Sequence, residues 1–226
     1  SPLSDLRRRH EALVRKVPPP AEERVSLLPE FRSIRTSGPT SRFADYLASR
    51  GFNDPDLVAL RYGLWCALSG KYKDRIIVPI YAGRELAGWT ARALGKVKQR
   101  YLAFPEGGGA VKDALFNESN CRGGKLLVVA EGPFDAMKLD WSGGGLADSV
   151  ALMGTAATPA QASRLRLLAR RYERVAIVLD GKARAEAQRL RASVPGVAAV
   201  IRELPAKVKD PGELSIQAAA RFLAAI

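Results

Sequence analysis

The chain has 226 residues, 47% of them hydrophobic and 26% charged, enough apolar content to bury a core in one sizeable domain or two small ones. With 36 Lys and Arg against 23 Asp and Glu, its formal net charge is +13, which points to a polyanionic partner, nucleic acid first. One histidine and two cysteines without CxxC spacing exclude a zinc finger, and no apolar run approaches the ~20 residues of a membrane-crossing helix.

The amino terminus lacks the apolar stretch of a secretory signal, so a cytoplasmic protein is expected, without a membrane partner and with Cys66 and Cys121 as buried thiols. Residues 3–16 read as a basic helix, with Leu3, Leu6, His10, Leu13 and Val14 near helical spacing and three prolines at 18–20 as a stiff spacer. Short helices follow over 41–50 and 55–61, the second opened by Asp54 as N-cap and Pro55 as first helical residue. "RIIVPIYAGRELAGWTAR" reads as a β-hairpin over 76–81 and 85–93, turning at Ala82-Gly83. "QRYLAF" offers another strand, and "PEGGG" at 105–109 a loop.

From Lys125 the pattern is β-α repeated. Strands are expected over 126–130, 149–153, 175–179 and 197–204, and helices over 133–140, 159–172, 183–192 and 211–225. Apolar strands alternating with helices indicate a parallel sheet covered on both faces. Thr158-Pro159-Ala160-Gln161 fits a capping box, and Asp210-Pro211-Gly212-Glu213 a modified one.

In such a sheet the residues just after the strands line the carboxyl edge, where ligands bind. Glu131 follows one strand, Asp180 another, each with a glycine after it, and Asp210 follows the last. Carboxylates brought so close repel, and a hard cation such as Mg²⁺ relieves that repulsion. Read alone, Asp210 also suits an N-cap, and Asp135 a first-turn acid favoured by the helix dipole. Trp89, Tyr101 and Phe104 are of the type that stacks bases, but aromatics on strands are more often core.

"VVAEGPFDAMKL", "VALMGTAATPAQASRL", "VAIVLDGKARAEAQRL" and "KDPGEL", in that order, resemble the TOPRIM domain of bacterial- and phage-type DNA primases. "RIIVPIYAGRELAGWTAR", "QRYLAFPE" and "VKDALF" are similar to the basic subdomain that precedes it, so the resemblance covers roughly 40–215. It implies an α/β fold: a central parallel sheet with helices on both faces, preceded by a smaller mixed α+β basic subdomain. The expected divisions are 1–22, a basic helix and proline linker; 23–122, the basic subdomain; and 123–226, the TOPRIM domain with a C-terminal helix. The implied activity is a DNA-directed RNA polymerase making short primers on single-stranded DNA from ribonucleoside triphosphates. Glu131, Asp180 and Asp210 match the family's Mg²⁺- or Mn²⁺-binding acids, and Asp135 the second acid of the first motif. Arg92, Arg100 and Lys112 fall where the family carries basic residues along the template and nucleotide cleft. Arg100 stands in place of the usual lysine and preserves the charge. Arg75 and Lys98, with Lys73 and Arg84, extend the expected phosphate-tracking surface.

One departure matters. The family carries Asp-x-Asp after the third strand of the domain, and here "LDGKAR" puts Lys182 at the second acid. At ~5 Å and an effective dielectric near 20, each unit-charge interaction is on the order of 3 kcal/mol, so a second divalent ion is disfavoured. Lys182 either points away, replaces the second cation with its ammonium, or marks lost chemistry. The alternatives to a primase are therefore a degenerate TOPRIM module that binds single-stranded nucleic acid without synthesis and, further off, a TOPRIM nuclease. These residues encode no zinc module and no GxxxxGK[ST] loop, so a replicative helicase or a separate zinc-binding module is the expected supplier of those functions.

Overall fold

The computed structural model describes residues 25–179, 184–194, 197–206 and 208–226. The basic helix expected over 3–16 lies outside the described residues, as do Asp180 and Lys182.

A five-stranded antiparallel sheet organises the first half, in the order β1 (Phe31–Ser33), β2 (Trp65–Ala67), β3 (Arg75–Ala82), β4 (Glu85–Ala93) and β5 (Tyr101–Phe104). The hairpin legible in the sequence is its centre, with Arg75 opposite Ala93 and Ala82 opposite Glu85. Alternate residues of β3 face two cores. Ile76, Val78 and Ile80 join one, while Ile77 joins Phe31, Tyr72 and Trp89 in the other. Helices α1 (Ser41–Ser49) and α2 (Pro55–Arg61) contribute Phe43, Leu47 and Val58 to the first core. Asp54 caps α2 by accepting from the Leu57 amide at 3.0 Å. Strands β1 and β2 are three residues each, too short for a period of two to register in the sequence.

The second half is a four-stranded parallel sheet in the order β7 (Ala147–Ala151), β6 (Gly124–Ala130), β8 (Tyr172–Val178) and β9 (Ala199–Ile201). Along β6, Leu126, Val128 and Ala130 share a core with α3 (Pro133–Gly143) and with the antiparallel half. Leu127 and Val129 face the other way, towards α4 (Pro159–Ala169) and α5 (Arg184–Ser193). Covering on both faces explains the apolar run Leu126 to Ala130 of β6 and the apolar end Val175 to Val178 of β8, each buried Val or Leu contributing about 1.5–3 kcal/mol. Burial also pushes the free thiols up, Cys66 to about 11 and Cys121 to about 12, so neither is a reactive thiolate.

The strand expected over 149–153 runs Ala147–Ala151, and the helix expected over 159–172 ends at Ala169, before β8 opens at Tyr172; two elements further on depart more. The side chain of Asp210 makes no cap bond and opens only a single 3₁₀ turn, Pro211–Glu213. Glycine at 212 is a poor helix former, and the helix begins later as α6 (Ile216–Ala224), capped by Ser215 on the Ala218 amide at 3.1 Å. Strand β9 spans three residues where the apolar pattern predicts 197–204.

The halves are bolted together by a buried acid. Asp140 of α3 accepts from the Tyr62 hydroxyl at 2.6 Å and from Arg61 Nε and Nη2 at 3.0 and 2.8 Å. No helix among the described residues is long and apolar enough to cross a membrane.

Candidate active site

Strand β6 ends at Ala130, so Glu131 emerges at the carboxyl edge of the parallel sheet. Gly132 then caps α3, and Asp135 lies in its first turn, where the helix dipole favours a carboxylate. Asp135 Oδ1 accepts from the Gly212 amide at 3.1 Å. The two glycines are close-approach positions. A Cβ on Gly132 would stand 2.9 Å from Asp135 Oδ2, and one on Gly212 3.1 Å from Asp135 Oδ1 and 3.0 Å from Asp210 Oδ1. Two carboxylates from distant parts of the chain therefore meet at one point. Asp210 Oδ1 is buried and receives no hydrogen bond; the Arg50 guanidinium, 3.9 Å away, is its ionic partner.

The antiparallel sheet faces these acids with cations. Arg92 on β4 is 6% exposed, its Nε donating to the Tyr46 hydroxyl at 3.1 Å and its Nη1 to the Tyr101 hydroxyl. Its guanidinium also lies 4.8 Å from the centre of the Tyr101 ring. Burial raises the Tyr101 pKa, so that phenol stays protonated. Arg100 and Lys112 are exposed at the rim. Glu131, Asp135, Asp210, Arg50, Arg92, Arg100 and Lys112 all line one cavity of about 750 Å³, a volume typical of small-molecule sites. Met153, in its wall beside Gly154, holds a φ of 57°, left-handed strain of about 1–3 kcal/mol of the kind that clusters at functional sites.

Six charged residues singled out in the sequence thus meet here, Glu131, Asp135, Asp210, Arg92, Arg100 and Lys112, and of the three aromatics Tyr101 lines the same cavity. Arg75 does not. It is 9% exposed and donates to the carbonyls of Ala91, Gln99 and Arg100 at 3.2, 2.9 and 3.3 Å, so it braces the loop that carries Arg100. Lys98 is exposed on that loop, outside the cavity lining, and Lys73 and Arg84 are exposed outside it too. Trp89 is fully buried and stacks on Phe104 at 4.2 Å, which makes the pair core rather than base platform. Asp180 and Lys182, placed at this edge by the sequence, lie outside the described residues.

Arg50 is the residue that sequence reasoning misses. It is the C-cap of α1, where an arginine reads as a dipole-favoured helix end, and no local pattern reveals its reach to Asp210. Among the described residues no three His, Cys, Asp or Glu side chains cluster tightly enough to hold a metal ion. The donors present are nonetheless of the kind a hard divalent cation takes: carboxylate oxygens converging on one cavity, one of them buried without a hydrogen bond.

Solved structures similar to this fold include primase cores. The chain is 21% identical to the DnaG primase catalytic domain bound to ssDNA, covering 84% of this chain and 73% of that one, with a TM-score of 0.66. The primase fragment of the bacteriophage T7 primase-helicase protein is 17% identical over 95% of this chain and 84% of its own, with a TM-score of 0.67. The E. coli primase catalytic core is 22% identical over 84% and 78%, with a TM-score of 0.63. No protein-family model matches the sequence, and no curated protein matches it either. The architecture, an antiparallel sheet joined to a helix-covered parallel sheet, is that of the DnaG-type and T7 primase catalytic cores.

Proposed function

We propose that this protein is a DNA primase catalytic core of the TOPRIM type, joining ribonucleoside triphosphates into short RNA primers on single-stranded DNA with Mg²⁺ or Mn²⁺. The observation that carries this reading is the convergence of Glu131, Asp135 and Asp210 with Arg50, Arg92 and Arg100 on one cavity between the two sheets. The net charge of +13 and the DNA-bound DnaG neighbour support a nucleic-acid partner. A helicase partner fits the same reading, since the T7 neighbour is a fragment of a primase-helicase. So does residence in the cytoplasm.

Glu131 and Asp210, with Asp180, would hold the metal, which when bound neutralises phosphate charge as a 3′-hydroxyl attacks an α-phosphate. The chain's own groups do the positioning. Arg92 is pre-set by two phenols and so loses little freedom when its fork takes a phosphate. Asp135 is oriented by the Gly212 amide. Arg50 lowers the repulsion between Asp135 and Asp210 before any substrate arrives. Arg100 and Lys112, out in solvent, draw in template and triphosphate at long range.

A second reading, a degenerate module that binds single strands without synthesis, is favoured by Lys182 in the place of an acid. Labelled ribonucleotides supplied with single-stranded templates and Mg²⁺ or Mn²⁺ separate the two. The primase reading expects products from this chain and at least a ~10²-fold loss in Glu131→Gln, the scale of removing one charge-stabilising group. Template binding with no product, unaffected by Glu131→Gln, would establish the second reading instead.

A further inference from the structure

Lys138 stands on α3 one helical turn past Asp135, and it is completely buried. Lysine is almost never buried so fully without a partner for its charge. Here the ammonium donates to the backbone carbonyl of Arg50 and sits 4.8 Å from the centre of the Phe52 ring. The Arg50 carbonyl belongs to the C-cap of α1, one of the acceptors a helix end leaves without an amide, and the negative end of the helix dipole favours a cation there. Gly51 makes the contact possible in two ways. Its φ of 85° ends the helix in the left-handed region, and a Cβ on it would stand 3.1 Å from Lys138 Nζ.

The same residue whose carbonyl Lys138 holds sends its guanidinium the other way. Arg50 Nη2 lies 3.9 Å from Asp210 Oδ1 and fills the place that a side chain on Gly212 would need. A methionine at 138 would fill the core without taking an ammonium out of water, and replacing a buried charge by an apolar group of like volume is often neutral or stabilising. The lysine therefore carries a folding cost, consistent with burial and the Arg50 charge pushing its pKa down to about 8. What the lysine secures in return is the position of Arg50.

We propose that Lys138 is a positioning residue: by gripping the Arg50 carbonyl it fixes the base of the arginine that stands against Asp210, and so sets the cleft's affinity for nucleoside triphosphate. The inference deepens the primase reading and rests on its premise that the cleft takes a triphosphate.

The test is a double-mutant cycle on the full chain, with fluorescent ATP and Mn²⁺ as the probe. Lys138→Met is expected to weaken binding about tenfold, the order of coupling found for residues in contact, while its melting temperature equals or exceeds that of the unsubstituted protein. In an Arg50→Ala background the same change is expected to add nothing. Lys138→Gln, a shorter neutral donor, is expected to recover part of the loss. Unchanged binding in Lys138→Met overturns the proposal, as does a loss of equal size in the Arg50→Ala background or one that tracks a fall in melting temperature. An unsubstituted protein that binds no ATP contradicts the primase reading itself, a result visible before any variant is made, and leaves Lys138 no affinity to set.

Discussion

Arg75 gives its guanidinium to three backbone carbonyls, whereas Arg92 gives its to two phenols and faces the cavity. Both are buried arginines on neighbouring strands, and nothing in local sequence separates them, because the deciding partners lie far along the chain. Glu131 was easier to read: an acid that ends an apolar strand, followed by a glycine, has few structural uses, whereas Asp135 alone reads as a first-turn acid. Arg50 was hidden by its place at a helix end. Lys138 was hidden by its neighbours, since one lysine among apolar residues looks like a solvated side chain until the helix is seen to be covered. Its titration gives a residue-scale prediction. Lys138 has an ordinary value of 10.5 and a folded value of about 8; Arg50 is the charge that faces it from α1, and Asp140 on its own helix is held by Arg61 and Tyr62. Between those values the unfolded chain binds the extra proton, so stability rises with pH across that window, and the full cost is present below pH 8. Lys138→Met is thus expected to exceed the unsubstituted protein in stability by roughly 1–3 kcal/mol at pH 7, with the gap narrowing towards pH 10. Urea unfolding at several pH values checks this, and a gap that does not narrow would place the lysine elsewhere.

At the scale of elements, most of the parallel half was legible because its central strands, β6 and β8, are seven residues each with inner residues buried on both faces, and its helices carry strong start signals. Thr158 and Gln161 form both arms of a capping box, with the Gln161 amide donating to Thr158 Oγ1 at 3.2 Å and the Thr158 amide to Gln161 Oε1 at 3.1 Å. Thr158 Oγ1 also donates to Asp113 at 2.8 Å, which ties α4 to the Gly109–Asp113 turn in the cavity wall. Thr158→Ala is therefore expected to cost about 1 kcal/mol, measurable by denaturant unfolding, and to loosen that wall more than the opposite rim. What the sequence did not disclose follows from length and competition. Strands β1 and β2 are too short to show a period, and Pro211-Gly212 divides one apolar tail into a 3₁₀ turn and α6. That division leaves Asp210 and the Gly212 amide free to build the site instead of a helix start.

For the molecule as a whole, the +13 charge acts as a field before it acts as contacts. Each cation that neutralises a phosphate releases a counterion, so binding of single-stranded DNA is expected to weaken steeply with salt, by a slope of about 0.7 per contact. Arg100→Ala, at the rim, is expected to lower that slope by roughly one contact. Arg75→Ala is expected to lower stability, because three carbonyls lose their donor, and to leave the slope unchanged while the protein stays folded. Equal slopes for both variants would mean that Arg100 does not meet the template.

Acids delivered by separate β-α units are expected to hold one divalent ion opposite the arginines of the antiparallel sheet. Anomalous diffraction from crystals soaked in Mn²⁺ tests this without relying on activity. The expected result is a peak in the cavity contacted by Glu131 and Asp210, together with Asp180, and its loss in Glu131→Gln. Density with no such peak, or manganese bound only away from this edge, would contradict the account.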